Sequence, residues 1–233
     1  MIPTRDRLIV ALDVPTTDEA GNLAARIGSA AAFYKIGYQL MPVGGLDLAK
    51  RLSASGKKVF LDFKFHDIGA TVERGTASVV RLGADFLTVH AEPEVLKGAV
   101  AGRGGDVRLK ILAVTVLTSL DQAALSRSGI VTPLRDLVLK RAEFAAEAGA
   151  DGVIASAEEA SAIKARFGAA LLVVTPGVRP KGAAANDQKR IVSPADAVRA
   201  GADYLVVGRP IVEAENPARA AREIAEEIEK AGG

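Results

Sequence analysis

Eight short runs of apolar, β-prone residues recur along the chain, and longer amphipathic segments separate them. The runs cover residues 7–13, 31–37, 57–64, 85–91, 109–117, 151–156, 171–177 and 203–211. Near-continuous apolar runs of this length are typical of strands covered on both faces, as in parallel sheets. The segments between them, such as TTDEAGNLAARIG and NPARAAREIAEEIEKAG, open on Thr or Asn, which cap helix N-termini. The pattern therefore predicts alternating strands and helices.

A three-residue echo, Gly-Ala-Asp, supports this interpretation. It occurs at 83–85, 149–151 and 201–203, each time between a predicted helix and the next predicted strand. Glycine directly after a helix adopts the left-handed conformation that ends it, and a short turn then leads to the strand. Eight such units in 233 residues predict an α/β fold, a (β/α)₈ TIM barrel that forms a single domain over residues 1–233. The alternative is an open doubly wound sheet, although no GxGxxG motif follows the first strand.

Composition excludes several classes of function. The chain has no cysteine, which excludes disulfides and thiolate chemistry, and only two histidines, which makes a histidine-built metal site a poor hypothesis. It has no apolar run of 18 residues and no signal-peptide pattern, so we expect a cytoplasmic protein without a membrane partner. The net charge of +2 and the 4% aromatic content give little support to nucleic-acid binding.

The stretch VFLDFKFHDIGATV, residues 59–72, places charge where the third strand should end. In a barrel of this kind the active site lies at that end of the strands. Asp62 and Lys64 are two residues apart, which predicts that both side chains point into the barrel mouth, since burial under the helices would be costly. Asp67 is expected to reach back over Lys64. A lysine between carboxylates keeps its proton, so this arrangement predicts a rigidly held proton donor.

Two further charges, Asp13 and Lys35, end the first and second predicted strands. A rim salt-bridge network is the alternative explanation for Asp-x-Lys-x-x-Asp by itself. Four or five charges that converge on one barrel mouth are costly unless they are used, and this favours a catalytic interpretation. His66 and His90, each beside a strand end among apolar residues, are predicted to be hydrogen-bonded structural side chains.

The loops after the seventh and eighth strands predict a phosphate site, because such loops commonly bind phosphate in these barrels. Gly208 allows the backbone to approach an anion, and the Arg209 guanidinium suits phosphate oxygens. Gln188 offers an amide donor. The Gly- and Ala-rich loop from Arg179 to Lys189 is expected to act as a lid that orders over ligand, and an ordinary surface loop is the alternative.

Several motifs together resemble a known family. ALD, YKIG, LDFKFHDI, VLTS, TPGVRP, DQKR and VGRPI occur in the order and spacing of bacterial orotidine 5′-phosphate decarboxylases of the short form. The resemblance extends from Asp13 to Arg209. It implies a lyase of pyrimidine and UMP biosynthesis that converts orotidine 5′-monophosphate (OMP) to UMP and CO₂ with no cofactor and no metal.

The resemblance also implies roles for individual residues. By this likeness Lys64 donates a proton to C6 of the pyrimidine, Asp62 lies against the departing carboxylate, and Lys35 and Asp67 complete the charged array. The positions expected to bind the rest of the substrate are Asp13 and Thr71 for the ribose, Thr118 for the pyrimidine, and Arg179, Gln188, Gly208 and Arg209 for the phosphate. The family is homodimeric, and the Asp67 and Thr71 positions reach into the partner's site.

One departure and two alternatives remain. Gly69 and Ala70 stand where many members of the family have proline and asparagine, which affects only the expected local loop contacts. Metal-dependent sugar-phosphate decarboxylases and aldol-type synthases on the same barrel also carry Asp-x-Lys-x-x-Asp. A catalytically silent barrel that binds nucleotides and regulates a partner is the alternative from another class.

Overall fold

The computed structural model describes residues 2–180 and 192–232, which form a closed barrel of eight parallel strands. The strands are β1 Leu8–Ala11, β2 Phe33–Ile36, β3 Lys58–Phe65, β4 Phe86–His90, β5 Lys110–Val114, β6 Gly152–Ile154, β7 Leu172–Thr175 and β8 Tyr204–Val207. Each strand pairs with its neighbours in sequence, and β8 closes the barrel against β1 with Leu205 opposite Leu8. The predicted (β/α)₈ barrel is confirmed, and each predicted apolar run contributes one strand.

Helices separate the strands. In the described part of the chain they are α1 Thr4–Arg7, α2 Thr17–Ile27, α3 Gly45–Ala54, α4 Gly69–Leu82, α5 Pro93–Arg103, α6 Gln122–Arg127, α7 Leu134–Ala148, α8 Ala157–Phe167, α9 Pro194–Arg199, α10 Arg209–Val212 and α11 Pro217–Gly232, with 3₁₀ turns at Gly28–Ala30, Met41–Val43 and Gly168–Ala170. The predicted caps are confirmed at two helix starts. Thr16 accepts a hydrogen bond from the Glu19 amide, and Asn216 accepts one from the Arg219 amide.

Two apolar cores lie on the two sides of the strands. Alternate strand residues such as Leu8 and Val10 pack under the helices, while Ile9 and Ala11 belong to a smaller cluster inside the barrel. Four of the nine buried residues of the inner cluster are aromatic, and their rings meet edge to face, with Phe86 4.8 Å from Phe33 between ring centroids. These rings fill the interior, so the barrel is a packed core with an open mouth at the carboxyl ends of its strands.

The three Gly-Ala-Asp echoes make the same set of contacts at the amino-terminal end of the barrel. Gly83 and Gly149 end α4 and α7 in the left-handed conformation, as predicted. The aspartate that follows accepts a hydrogen bond from the first buried amide of the preceding strand and pairs with a cation. The three sets are Asp85 with the Val59 amide (2.8 Å) and Arg108 (3.1 Å), Asp151 with the Ile111 amide (2.9 Å) and Lys110 (3.2 Å), and Asp203 with the Val173 amide (2.7 Å) and Lys164 (2.6 Å).

Helices α4 and α5 pack with their backbones in direct contact. A Cβ atom at Gly98 would overlap the carbonyl oxygen of Gly69, and one at Gly102 would overlap that of Glu73. Only glycine permits so close an approach. The contact holds the start of α4, which follows directly on the loop after β3, against its neighbour.

Candidate active site

A cavity at the mouth of the barrel has two adjoining compartments of about 440 and 210 Å³. Lys35, Asp62, Pro176 and Val206 line both. The larger compartment is completed by Ala11, Asp13, Gly177, Arg179, Gly208, Arg209, Val212 and Glu213, and the smaller one by Phe60, Lys64, Val116, Leu117, Thr118, Ser119 and Ile154. The cavity therefore has a guanidinium-lined end and a largely apolar end, and Lys35 and Asp62 lie where the two ends meet.

Four charged side chains form an alternating chain across this junction. The Lys35 ammonium lies 3.0 Å from an Asp13 carboxylate oxygen and 3.5 Å from Oδ2 of Asp62. The Lys64 ammonium lies 2.8 Å from Oδ1 of the same Asp62. Lys35 is only 7% exposed, so its charge is balanced almost entirely by the two carboxylates. The structure thus brings together Asp13, Lys35, Asp62 and Lys64 as the sequence predicts.

The Asp62 carboxylate is ionised under ordinary conditions. Burial by itself raises the pKa of Asp62, but the charges of Lys35 and Lys64 and the hydrogen bonds from Lys64 and Thr88 outweigh it and lower the pKa below its usual value. A negative charge is therefore fixed at the centre of the cavity. It would repel any substrate anion placed beside it.

The backbone of β3 is distorted where it carries these charges. Leu61 pairs with Leu87 and Phe65 with Val89, so residues 62–64 of β3 lie opposite the single residue Thr88 of β4. Lys64 has φ 45°, and it is the one non-glycine residue of the described chain with positive φ. Asp62 and Lys64 meet as expected, but through this bulge and not through the regular alternation of a strand.

Tyr38 supports Lys64 from the side. Its hydroxyl donates a hydrogen bond of 3.0 Å to the Phe63 carbonyl, and the Lys64 ammonium lies 5.2 Å from the centre of its ring. A cation at this distance is attracted to the face of an aromatic ring. Burial and the nearby charge of Asp62 raise the pKa of Tyr38, which keeps its hydroxyl protonated.

The guanidinium-lined end holds the residues expected to bind phosphate. Arg179 is buried and donates from Nη1 to the Val178 carbonyl at 3.0 Å. Gly208 precedes α10, and Arg209 is the first residue of that short helix. Gln188 and most of the predicted lid lie outside the described residues. Arg179, Gly208 and Arg209 therefore lie around one compartment, together with Asp13.

The apolar end combines apolar side chains with two hydroxyl groups. Phe60, Ile154 and Val206 supply apolar surface, and the buried Thr118 with its neighbour Ser119 supplies hydroxyl groups. Lys64 lines this end and not the guanidinium-lined one. A ligand that spans both compartments would place one end beside Lys64 and an anionic group at its other end beside the arginines.

Two predicted site residues lie away from this cavity. Asp67 is exposed, accepts a hydrogen bond from the Ile68 amide at 2.6 Å, and forms no ion pair with Lys64 within the described residues. Thr71 is exposed on the first turn of α4. The expectation that Asp67 reaches back over Lys64 is therefore wrong for a single chain, because the loop directs the carboxylate to its own backbone.

The two histidines are also placed differently from the prediction. Their rings stack on one another with centroids 4.5 Å apart. The His66 side chain is 57% exposed and its Nε2 lies 3.7 Å from a Glu92 carboxylate oxygen. No hydrogen bond joins either imidazole to another residue within 2–180 or 192–232, so the hypothesis of two hydrogen-bonded histidines among apolar residues is wrong.

Sequence reasoning missed three residues that shape the site. Thr88 and Tyr38 contact the charged pair, and a side chain at Gly37 would lie 2.9 Å from the Lys35 ammonium. Thr88 carried a usable signal, since it is a hydroxyl in the middle of the apolar run DFLTVHA. Gly37 ends the motif YKIG and Tyr38 follows it, and no sequence pattern points to the contacts of either residue.

Neither a metal-binding cluster nor a membrane span is present in the part of the chain that the structure describes. No group of three or more His, Asp or Glu side chains there is arranged to hold a metal ion. None of the described helices combines the length and the apolar character needed to cross a bilayer.

Comparison with known proteins agrees with the sequence motifs. Residues 6–224 match the family described as orotidine 5′-phosphate decarboxylase / HUMPS family. An orotidine 5′-phosphate decarboxylase of Methylorubrum extorquens (strain PA1) is 57% identical over 227 residues, which cover 97% of each chain. One from Methylobacterium sp. (strain 4-46) is 58% identical over 229 residues, again 97% of each chain.

A solved structure agrees as well. The crystal structure of orotidine 5′-phosphate decarboxylase from Lactobacillus acidophilus superposes with a TM-score of 0.85 at 35% identity, and the match covers 96% of this chain and 99% of that one. The resemblance predicted from the motifs is confirmed, and the chain belongs to the orotidine 5′-phosphate decarboxylase / HUMPS family.

Proposed function

We propose that this protein is a cytoplasmic lyase that converts OMP to UMP and CO₂ in pyrimidine synthesis without a cofactor. The observation that carries the proposal is the alternating chain Asp13–Lys35–Asp62–Lys64, which lies between a guanidinium-lined compartment and an apolar one. OMP has the complementary shape, with a phosphate at one end, a pyrimidine at the other and a ribose between them.

The two compartments suggest how the substrate is held. The phosphate binds near Arg179 and Arg209, where bidentate guanidinium contacts favour it. Gln188 and the Gly208 backbone add donors. The ribose then lies near Asp13 and Lys35, and the pyrimidine lies in the smaller compartment near Thr118. This orientation brings the carboxylate on C6 towards Asp62.

The chemistry needs one bond broken and one formed. The bond between C6 and the carboxylate carbon breaks, CO₂ departs, and the electron pair remains on C6. The Lys64 ammonium then transfers a proton to C6, which gives UMP, and the neutral amine regains a proton from water. Lys64 lines the apolar compartment at hydrogen-bonding distance from Asp62, which supports its role as the donor.

Fixed charge supplies the driving force in this proposal. Asp62 repels the substrate carboxylate, and this repulsion disappears as CO₂ leaves, while the ammonium of Lys64 stabilises the developing carbanion. Preorganised charges need no rearrangement during the reaction. Binding of the distant phosphate supplies the free energy that holds the two carboxylates together.

We also propose a homodimer with shared active sites. Asp67 and Thr71 are exposed and lie outside the cavity of their own chain, and Ile68 between them is 70% exposed. An apolar side chain beside an outward-facing carboxylate suits contact with a second copy. Asp67 of one protomer then completes the charged array of the other, and Thr71 reaches its ribose.

Mixing two inactive variants tests this shared site. Lys64→Ala and Asp67→Asn homodimers should both be severely impaired. After subunit exchange, a heterodimer has one site with both wild-type residues and one with neither. Random exchange makes about half of the dimers mixed, so activity should return to about a quarter of wild type. Verified heterodimers without recovery would show that Asp67 acts within its own chain.

The loss of OMP absorbance in the presence of purified protein and EDTA tests the function itself. Turnover that is insensitive to the chelator supports the proposal, with Lys64→Ala as the inactive control. Turnover that EDTA abolishes would favour the metal-dependent relatives on this barrel. Binding of UMP without any turnover of OMP would favour the silent nucleotide-binding barrel.

A further inference from the structure

We propose that Thr88 is a positioning residue that fixes Asp62 and Lys64 relative to each other through a single hydroxyl. The inference deepens the proposed function and rests on it. Thr88 lies in the middle of β4, is 0% exposed, and has no access to the substrate cavity. It acts on the reaction only through the two residues that it contacts.

The hydroxyl of Thr88 serves as donor and acceptor at the same time. It donates a hydrogen bond of 2.9 Å to Oδ1 of Asp62, and its oxygen accepts one of 3.0 Å from the backbone amide of Lys64. Oδ1 of Asp62 is also the atom that accepts from the Lys64 ammonium at 2.8 Å. One small ring of contacts therefore joins the Asp62 side chain, both ends of Lys64 and the Thr88 hydroxyl.

The distortion of β3 explains why such a group is needed. Residues 62–64 face Thr88 alone, so the backbone of Lys64 leaves the regular hydrogen-bond ladder. Its amide takes the side-chain oxygen of Thr88 in place of a strand carbonyl. Positive φ at a non-glycine residue costs free energy, and surrounding contacts must maintain it. The Thr88 hydroxyl is the contact that reaches this amide.

Two other buried threonines differ from Thr88. Among the described residues the hydroxyl of Thr76 on α4 has no hydrogen-bond partner, and that of Thr115 donates to the Ile154 carbonyl. A hydroxyl that only filled the core would resemble Thr76. Thr88 instead contacts the two residues that the proposed reaction uses most directly, and its loss should therefore affect catalysis more than substrate capture.

The test compares Thr88→Val with Thr88→Ser and with Thr76→Val as a matched buried control. Thr88→Val keeps the shape but removes the hydroxyl, and kcat should fall about 100-fold, the scale expected when a reacting group is displaced by about 1 Å. KM for OMP and the Kd of UMP should stay within about threefold, because the arginines are untouched. Thr88→Ser should recover most of kcat, and Thr76→Val should match wild type.

A second measurement does not depend on activity. In a crystal structure of Thr88→Val, φ of Lys64 should move away from 45° or the contact between Asp62 and the Lys64 ammonium should lengthen. If Thr88→Val does not fold, Thr88→Ala and Thr88→Ser give the same comparison with and without the hydroxyl.

Three results would overturn the inference. They are an unchanged kcat in the folded hydroxyl-free variant, equal losses in Thr88→Ser and Thr88→Val, or an unchanged geometry at Lys64 in the crystal. Failure of the proposed function gives a different result, since wild-type protein would then not turn over OMP while the geometric comparison could still be made.

Discussion

Both ends of the barrel pair carboxylates with cations, but they use the pairs differently. At the amino-terminal end each aspartate of the Gly-Ala-Asp echoes also receives a backbone amide of the neighbouring strand, as Asp151 does from Ile111. That carboxylate completes the hydrogen bonding of a regular sheet. At the other end no backbone amide of the described residues donates to the Asp62 carboxylate, which instead contacts two ammonium groups and a hydroxyl.

The strands differ in the same way. At the amino-terminal end of β3, Lys58 lies in regular register opposite Phe33 and pairs with Asp6 at 2.9 Å. At the carboxyl-terminal end of the same strand, Lys64 has positive φ inside a bulge. Similar charges therefore stabilise the fold at one end and are held in a strained geometry at the other, which is common at functional sites.

The largest expected difference between the ends is catalytic. Lys64→Ala should fold normally and lose OMP turnover by about 10³-fold or more, because the proton donor is gone. Lys58→Ala removes a lysine from the other end of the same strand and should keep the wild-type kcat. Steady-state kinetics with UMP binding as a check on folding measures both. Comparable losses in the two variants would erase the distinction between the ends.

Arginines at the two ends should also behave differently. Arg209→Ala should lower kcat/KM for OMP about 30- to 150-fold, since a hydrogen-bonded charge pair contributes about 2–3 kcal/mol. Turnover of orotidine, which lacks the phosphate, should be poor and hardly affected by this change. Arg108→Ala, which breaks the pair with Asp85, should leave kcat/KM for OMP unaltered. An equal effect of Arg209→Ala on both substrates would make Arg209 structural.

The free energy of unfolding should depend more on the charge pairs at the amino-terminal end of the barrel than on those at the mouth. Asp151→Asn keeps the side-chain shape but weakens the contacts to the Ile111 amide and Lys110, and should lower the free energy of unfolding by about 1–3 kcal/mol. Its kcat should stay within about twofold of wild type. Urea denaturation and steady-state kinetics on the same preparation provide the measurement. A large loss of kcat in fully folded protein would contradict the division of roles.

The smallest expected effect concerns the strain at Lys64. Lys64→Gly should be more stable than Lys64→Ala by about 1 kcal/mol, because only non-glycine residues are penalised at positive φ. At Lys58, where the strand is regular, the glycine variant should be the less stable of the pair. The midpoints of urea denaturation for the glycine and alanine variants at Lys64 and Lys58 measure these differences in stability. A lower stability of Lys64→Gly would mean that this backbone holds no strain.

The fold and the charged centre of the site could be predicted from the sequence for local reasons. The apolar runs and the helix-ending glycines each report on a few neighbouring residues, and a parallel barrel then has little topological freedom. Asp13, Lys35, Asp62 and Lys64 all occur at strand ends, so the closure of the barrel is enough to gather them.

The other features of the site depend on contacts between segments that are distant in the sequence or on how a loop turns. The bulge at Lys64 arises from pairing with β4, and no local pattern in LDFKFHDI distinguishes it from a regular strand. The outward direction of Asp67 depends on how a loop turns, and its proposed role depends on a second chain. The sequence shows Thr88 only as a hydroxyl within an apolar run, and its role depends on its contacts with Asp62 and Lys64.

The glycine contact between α4 and α5 has a consequence for the proposed dimer. Residues offered to a neighbouring subunit must be placed to within a fraction of an ångström, although the loop that bears them lies on the surface. The close contact between the backbones of Gly98 and Gly69 holds the start of α4, and the loop before it, against α5. Gly98 lines neither compartment of the cavity, and a methyl group there would displace the start of α4. In the proposed dimer, a substitution at Gly98 in one protomer would therefore reduce turnover at the active site of its partner.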